Sequence, residues 1–289
     1  MKFGIIGTGV VGTALAVRLE QVGYECVGVH TRSEESYQRF CQYLNKDQFS
    51  LESLAPKVDM LFITTQDGMI RQVAEELTSR GLVIPGQLWI HCSGSLSSQV
   101  LRVGEDASVQ CLSIHPLQSF ANVSEALYLL LGTHFGVEGE AEEIGEQLVR
   151  DLGGIPHCLT ATNKTLYHAG AVVASNYLVV LAALAVQLFT QAGIRSEEAL
   201  ESLIPLMKGT LHNLEEVGIP QALTGPIARG DSEVVRGHLK QLSTKQAAIY
   251  RVLGTGALEL GQAKWQQDGL DYPEEALNEL MALLHQKDQ

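Results

Sequence analysis

The sequence predicts an α/β chain in which a doubly wound parallel sheet is followed by an all-helical C-terminal half. Three observations carry this. A glycine-rich turn of spacing GxGxxG follows an apolar run at the N-terminus, in KFGIIGTGVVGTALAVRLE from Lys2 to Glu20. Short apolar runs with polar ends recur as far as about Leu159, and beyond about Thr160 helix-length patterns replace them. The expected organisation is a Rossmann dinucleotide-binding domain over residues 1–160 and an all-helical substrate and dimerisation domain over residues 161–289.

Composition narrows the classes. A chain of 289 residues with 45% apolar content can bury the cores of two domains and shows no disordered block. A formal net charge of −13 speaks against nucleic acid or an anionic membrane as partner, so an anionic ligand needs a local basic group. Cys26, Cys41, Cys92, Cys111 and Cys158 form no CxxC pair and several lie in apolar runs, which points to reduced thiols and a cytoplasmic location. Residues 165–194 contain no Asp, Glu, Lys or Arg but do carry His168, Ser175, Asn176, Tyr177 and Gln187. A helix buried on all sides is expected there rather than a membrane span, and its apolar surface predicts a homodimer.

Taken in order, the first run is a strand, and Gly7, Gly9 and Gly12 then allow a tight turn, a close approach to a pyrophosphate and close packing of helix on strand. Thr8, Val10 and Val11 complete that loop, whose helix N-terminus offers free N–H groups to phosphates. Tyr24 to His30 is the second strand. Where an NAD site carries an acidic residue for the ribose, this chain has Thr31-Arg32-Ser33, so the expected cofactor is NADP, with Arg32 clamping a 2′-phosphate. The competing reading makes Arg32 a surface charge paired with Glu34 or Glu35. Further strands are expected at Asp59–Thr65, Gln87–Cys92 and Val109–Ile114, with a helix from about Met69. Their polar ends hold Thr64, Thr65 and Asp67, then Ser93 and Ser95, then His115-Pro116, all at the sheet edge where open α/β folds bind ligands. His134–Val137, a helix over Glu140–Leu152 and Ile155–Leu159 extend the sheet.

The second half opens with one long helix from Lys164 to Ala192. The next is expected to start at an Ser196 N-cap, to be interrupted by Pro205 and to run on towards Val217. A turn over Thr224–Asp231 leads to helices at Ser232–Gln241, Thr244–Lys264 and Pro273–Gln286.

The combination of GIIGTGVVG, HCSGSLSS, SIHPLQSF, YHAGAVVASN and ALTGPIARGD resembles the Rossmann-like NADP oxidoreductases with a helical C-terminal domain of uncharacterised function, within the 6-phosphogluconate-dehydrogenase-like superfamily. The resemblance spans nearly the whole chain. It implies an NADP-dependent oxidoreductase, with pyrroline-5-carboxylate reductase, ketopantoate reductase and the 3-hydroxyacid dehydrogenases as more distant relatives in architecture. The 3-hydroxyacid dehydrogenases polarise substrate with a Lys and an Asn four residues later on the first interdomain helix. Here Lys164 is followed four residues later by His168, so both share a helix face but His168 stands where that pattern has Asn. His115-Pro116 resembles the His-Pro pair of prephenate-type dehydrogenases, which gives His115 a route to an acid or base role.

The site residues expected from this are Lys164, His168 and His115 for catalysis, and Ser95, Asn176 and Arg229 for a small, anionic carbonyl, imine or hydroxy acid. Cofactor contacts are expected from the glycine loop, residues 31–33, Thr64, Thr65, Asp67 and Ser93. Each has a plainer alternative. Lys164 could be an exposed helix start, His168 a core histidine, His115 loop architecture and Arg229 a clasp to Asp231. Asn176, in an apolar helix, needs a partner if buried. No His, Asp, Glu or Cys cluster has metal-ligand spacing. Two other functions compete: an NADP(H)-binding sensor or scaffold without turnover, and a decarboxylating dehydrogenase of the prephenate type.

Overall fold

In the computed structural model, which describes residues 1–104 and 108–286, the first apolar run is β1 (Lys2–Ile6) and the glycine turn feeds α1 (Val10–Gln21). Then follow β2 (Glu25–His30), α2 (Glu34–Cys41), α3 (Leu51–Leu54), β3 (Met60–Ile63), α4 (Asp67–Ser79) and β4 (Leu88–His91). After them come β5 (Gln110–Pro116), α5 (Val123–Leu129), β6 (His134–Gly139), α6 (Glu142–Asp151) and β7 (Ile155–Cys158).

The sheet has seven strands in the order β2-β1-β3-β4-β5-β6-β7. Side chains alternate across it as the pleat requires. Phe3, Ile5, Phe62, Ile90, Leu112 and Ile114 face a core shared with α1, α5 and α6, while Leu61, Ile63, Trp89 and Cys111 face a second core shared with α3 and α4. Helices on both faces make the sheet doubly wound. One pair departs from the expected parallel sheet: β6 runs antiparallel to β5, with His115 opposite Gly136. An antiparallel step needs no crossover, and the short α5 packs on α1 instead. The strand order reverses between β1 and β3, so the crevice of such folds opens where the glycine turn leaves β1 and Thr64-Thr65 leaves β3.

The helical part comprises α7 (Lys164–Ala174), α8 (Asn176–Gln191), α9 (Ser196–Val217), α10 (Pro226–Arg229), α11 (Ser232–Gln241), α12 (Thr244–Gln267) and α13 (Glu274–Leu284). Contacts divide the chain into the units Met1–Tyr177 and Leu178–Gln289. The core of the second unit gathers Ile227, Val235, Leu258, Tyr272, Leu280 and Leu284.

Four expectations are corrected here. The single helix from Lys164 to Ala192 is interrupted at Ser175, the C-cap of α7 at φ −109° and ψ −67°, after which α8 begins. That stretch is not buried on all sides: Leu166 is 77% exposed and Val179 70%, and the apolar window within Lys164–Gln191, of mean hydropathy 2.1, is unburied in the single chain. Pro205 does not interrupt α9, which continues through it to Val217. The N-cap of α9 is Arg195, with Ser196 the first helical residue.

Candidate functional site

Local backbone demands explain the glycine turn. Gly7 sits at φ 100°, a conformation that favours glycine, and donates its N–H to His30 O at 2.9 Å, tying the ends of β1 and β2 together. A Cβ on Gly12 would stand 2.3 Å from Thr64 Oγ1 and 2.4 Å from Gly7 O, so only glycine lets α1 pack this close. Thr64 Oγ1 locks the arrangement by donating to Gly7 O at 2.6 Å. Gly9 is different: nothing lies within 4 Å of where its Cβ would be.

The turn is one wall of a cavity of about 350 Å³, into which Gly7, Thr8, Gly9, Thr31, Arg32, Ser33, Thr64 and Thr65 project. Among the described residues, the buried hydroxyls of Thr8 and Thr65 have no hydrogen-bond partner. An open glycine face flanked by two orphaned hydroxyls fits a bound diphosphate, which supplies acceptors where the protein leaves donors. Arg32 is 67% exposed on its side chain and lies 3.7 Å from Glu76 across the same cavity, rather than on Glu34 or Glu35. Those two bond Gln38 and Arg39 within α2. Glu76 already pairs with Arg80, so its hold on exposed Arg32 is weak. Ser33 caps α2 by accepting from Ser36 N–H. Val10, Val11, Gly12, Asp67 and Ser93 do not line this cavity. Gly12 supports its floor, and Val10 and Val11 pack against the sheet core.

Asp67 and Ser93 lead from this cavity towards a second. Ser93 Oγ donates to Asp67 Oδ2 at 2.7 Å and Ser95 Oγ to the same oxygen at 3.1 Å. Ser93 Oγ in turn accepts the N–H groups of Ser95 and Leu96, so the turn after β4 is wound around one hydroxyl. Gly94 at its apex touches two imidazoles: a Cβ there would fall 2.7 Å from His168 Cδ2 and 2.8 Å from His115 Nε2. Beyond them lies a cavity of about 550 Å³, lined by His115, Tyr167, His168, Ser175 and Asn176 together with Gln118 and small residues of α7. The His115 and His168 rings stand 6.4 Å apart, edge to face. Asn176, expected to lie in a helix buried on all sides, is exposed at the start of α8 and lines this cavity.

Lys164 is not an exposed helix start. It is 1% exposed and lines neither cavity. Its ammonium donates to Ser113 Oγ and stands 4.0 Å from the Glu138 carboxylate, itself 5% exposed on its side chain. Glu138 accepts from Ser98 N–H at 2.7 Å, Ser98 Oγ at 2.8 Å and Ser97 Oγ at 3.1 Å. Burial lowers the Lys164 pKa to about 8, with Glu138 opposing. Burial, followed by the Lys164 charge, also holds His91 down to about 3 and His115 to about 4. Both rings are therefore neutral at physiological pH.

Arg229 is exposed at the end of α10 in the helical unit and makes no ion pair, with Asp231 or otherwise, among the described residues. Its backbone is fixed from below: Trp265 Nε1 donates to Ala228 O at 2.9 Å, Tyr272 Oη to Ile227 O, and Lys264 Nζ to Gln221 O and Leu223 O at 2.9 Å. Asp231 precedes α11 without capping it through its side chain. Five residues that build the site were given no role from the sequence: Glu76, Gly94, Ser113, Glu138 and Tyr167, although Gly94, Ser113 and Tyr167 lie within HCSGSLSS, SIHPLQSF and YHAGAVVASN. Glu138 left a signal of its own, the lone carboxylate in the strand HFGVEG.

Residues 1–116 match the family described as a Rossmann-like domain, and residues 133–257 match a domain of unknown function, DUF2520. The chain is a Rossmann-like protein with a DUF2520 C-terminal domain. No curated protein matches it in sequence. Among solved structures, a Thermotoga maritima protein is 24% identical, with 91% of this chain and 99% of that one covered at a TM-score of 0.74. A candidate NADP oxidoreductase from Bacteroides fragilis is 22% identical over 89% of this chain and 98% of that one, with a TM-score of 0.69. The 1-pyrroline-5-carboxylate reductase of Streptococcus pyogenes is 20% identical over 90% and 99%, with a TM-score of 0.61. These likenesses establish a shared fold for the Rossmann-like and DUF2520 parts.

Proposed function

We propose that this chain is an NADP-dependent oxidoreductase acting on a small anionic carbonyl, imine or hydroxy acid. The observation that carries the reading is the open face of Gly9 beside the hydroxyls of Thr8 and Thr65, which have no partner among the described residues, with Arg32 lining the same cavity. NADP(H), when bound, supplies hydride transfer. The chain's own residues do the rest. Thr31, Arg32 and Ser33 hold the 2′-phosphate; Asp67 and Ser93 keep the 93–95 turn in place; His115 and His168 meet the substrate in the second cavity; Asn176 and Ser175 offer hydrogen bonds at its mouth. Ser95, on the Asp67 side of the turn, is a further contact. Arg229 is the proposed anion contact, supported by its exposed guanidinium, which makes no ion pair among the described residues. Lys164 acts from behind the site through its charge.

The experiment is a calorimetric titration with NADPH and NADH. NADPH is expected to bind at least about tenfold more tightly, roughly 1.4 kcal/mol, and Arg32→Ala to erase the difference while leaving NADH binding intact. Equal affinities in the native protein would remove the case for NADP.

One observation favours a second reading, an NADP(H)-binding sensor without turnover: Lys164, which the resemblance would make a polarising residue, is buried away from both cavities. NADPH oxidation with a panel of oxo acids and cyclic imines, prephenate and arogenate included, separates the readings. Turnover with any of them dismisses the sensor.

A homodimer and a cytoplasmic location complete the proposal. The dimer is supported by the bare apolar surface of α7 and α8, where Leu166, Val173, Val179 and Val180 are each more than half exposed. Light scattering at micromolar concentration should give twice the 31.4 kDa chain mass; a monomer, or partition into vesicles, contradicts it. The five free cysteines support a reducing compartment.

A further inference from the structure

Of the two histidines on the second cavity, His115 has a built partner on one ring nitrogen. Its Nδ1 lies 3.1 Å from Tyr167 Oη, and the two rings meet edge to face at 5.7 Å. Tyr167 is itself clamped. It sits on α7 above Gly136, the residue opposite His115 in the β5–β6 ladder, and a Cβ on Gly136 would come within 3.1 Å of the phenolic oxygen. Burial raises the Tyr167 pKa, so the phenol keeps its proton. Among the described residues, His115 Nδ1 is the hydrogen-bond partner of that hydroxyl. On the far side of the ring, Nε2 borders the space beside Gly94 that any larger residue would fill.

The geometry points to Tyr167 as the positioning residue that fixes the His115 tautomer: its hydroxyl donates to Nδ1, so the neutral ring carries its proton on Nε2 and presents it as a hydrogen-bond donor to the substrate's carbonyl or imine. This rests on the oxidoreductase reading and deepens it, because a neutral N–H donor polarises the oxidised substrate rather than withdrawing a proton from an alcohol. The charged and titratable groups facing His115 agree. Burial, Lys164 and His168 hold its pKa down, Asp67 alone opposes, and Tyr167 covers Nδ1. A neutral imidazole kept so by nearby positive charge is an effective electrophile towards a carbonyl.

The test is long-range ¹H–¹⁵N correlation on the cofactor-free, histidine-labelled protein at neutral pH, with His115 assigned by loss of its signals in His115→Gln. The expected spectrum shows Nε2 protonated and Nδ1 as the bare acceptor, and Tyr167→Phe converts this to a mixture of tautomers with an unchanged melting temperature. A wild-type ring protonated on Nδ1 overturns the proposal, and so does a Tyr167→Phe spectrum identical to wild type. NADPH titration of the same samples separates the two levels. A protein that binds no NADPH loses the oxidoreductase reading, whereas the tautomer stands or falls on the spectrum alone.

Discussion

Glu138→Ala is expected to lower the unfolding free energy by about 3–5 kcal/mol, the usual consequence of removing one partner from a buried ion pair. The change strips Lys164 of its counter-charge and leaves the Ser98 N–H and the hydroxyls of Ser97 and Ser98 without their acceptor. Neither loss is repaired by solvent, because both side chains are almost wholly buried. Lys164→Met combined with Glu138→Leu should recover much of the stability, since a packed apolar pair avoids the desolvation that an ion pair must overcome. The pH dependence has a definite sign. Lys164 titrates at about 8 when folded and near 10.5 when unfolded, so the unfolded chain binds more protons between those values. Stability from this group therefore rises as pH climbs through that window. In Glu138→Ala the rise begins at lower pH, because the carboxylate that favoured the charged form has gone. Urea unfolding of wild type, Glu138→Ala and Lys164→Met across the window reads all of this. A loss in Glu138→Ala below about 1 kcal/mol, the range of exposed pairs, would show that the pair is hydrated and contradict the geometry.

The second large effect separates two glycines that a motif treats alike. Gly12→Ala is expected to destabilise the protein by about 1–3 kcal/mol through overpacking, since the added methyl meets Gly7 O and Thr64 Oγ1. Gly9→Ala should leave the melting temperature unchanged, because Gly9 has ordinary negative φ and open space at its Cβ position. It should nevertheless weaken NADPH by about a hundredfold or more, roughly 2.7 kcal/mol, by placing a methyl where the diphosphate approaches. Native affinity in Gly9→Ala would mean that the open face is not a ligand site.

These cases also show what the sequence discloses. The sheet was legible because its signals are local: apolar runs of strand length, the glycine spacing and polar strand ends each declare themselves without reference to the rest of the chain. The reversed β6 was not, because a seven-residue α5 and a long connection read alike for a parallel or an antiparallel step. The wall of the first cavity was legible from Gly7 to Gly9 and from Thr31 to Ser33, which line it, whereas Val10 and Val11 turn to the sheet core instead. Glu76 was hidden because it faces Arg32 only once α4 is laid on the sheet. Lys164 and His168 share a helix face as the spacing required, yet one is sealed inside and the other borders a cavity; periodicity gives a direction, and only packing gives a depth. The exposure of α7 and α8 was unreadable for a related reason, since an uncharged helix looks the same whether its own chain or another molecule covers it.

The central claim is that the glycine cavity and the His115 cavity serve one bound NADPH, joined by the Asp67–Ser93 turn. The direct measurement is an NADPH titration of the histidine-labelled protein, following the imidazole signals of His115 and His168 against those of His134 and His157, which stack on each other on β6 and β7. The account predicts that the first pair shifts in proportion to cofactor bound while the second pair stays still. NADPH that binds without moving His115 or His168 would contradict it.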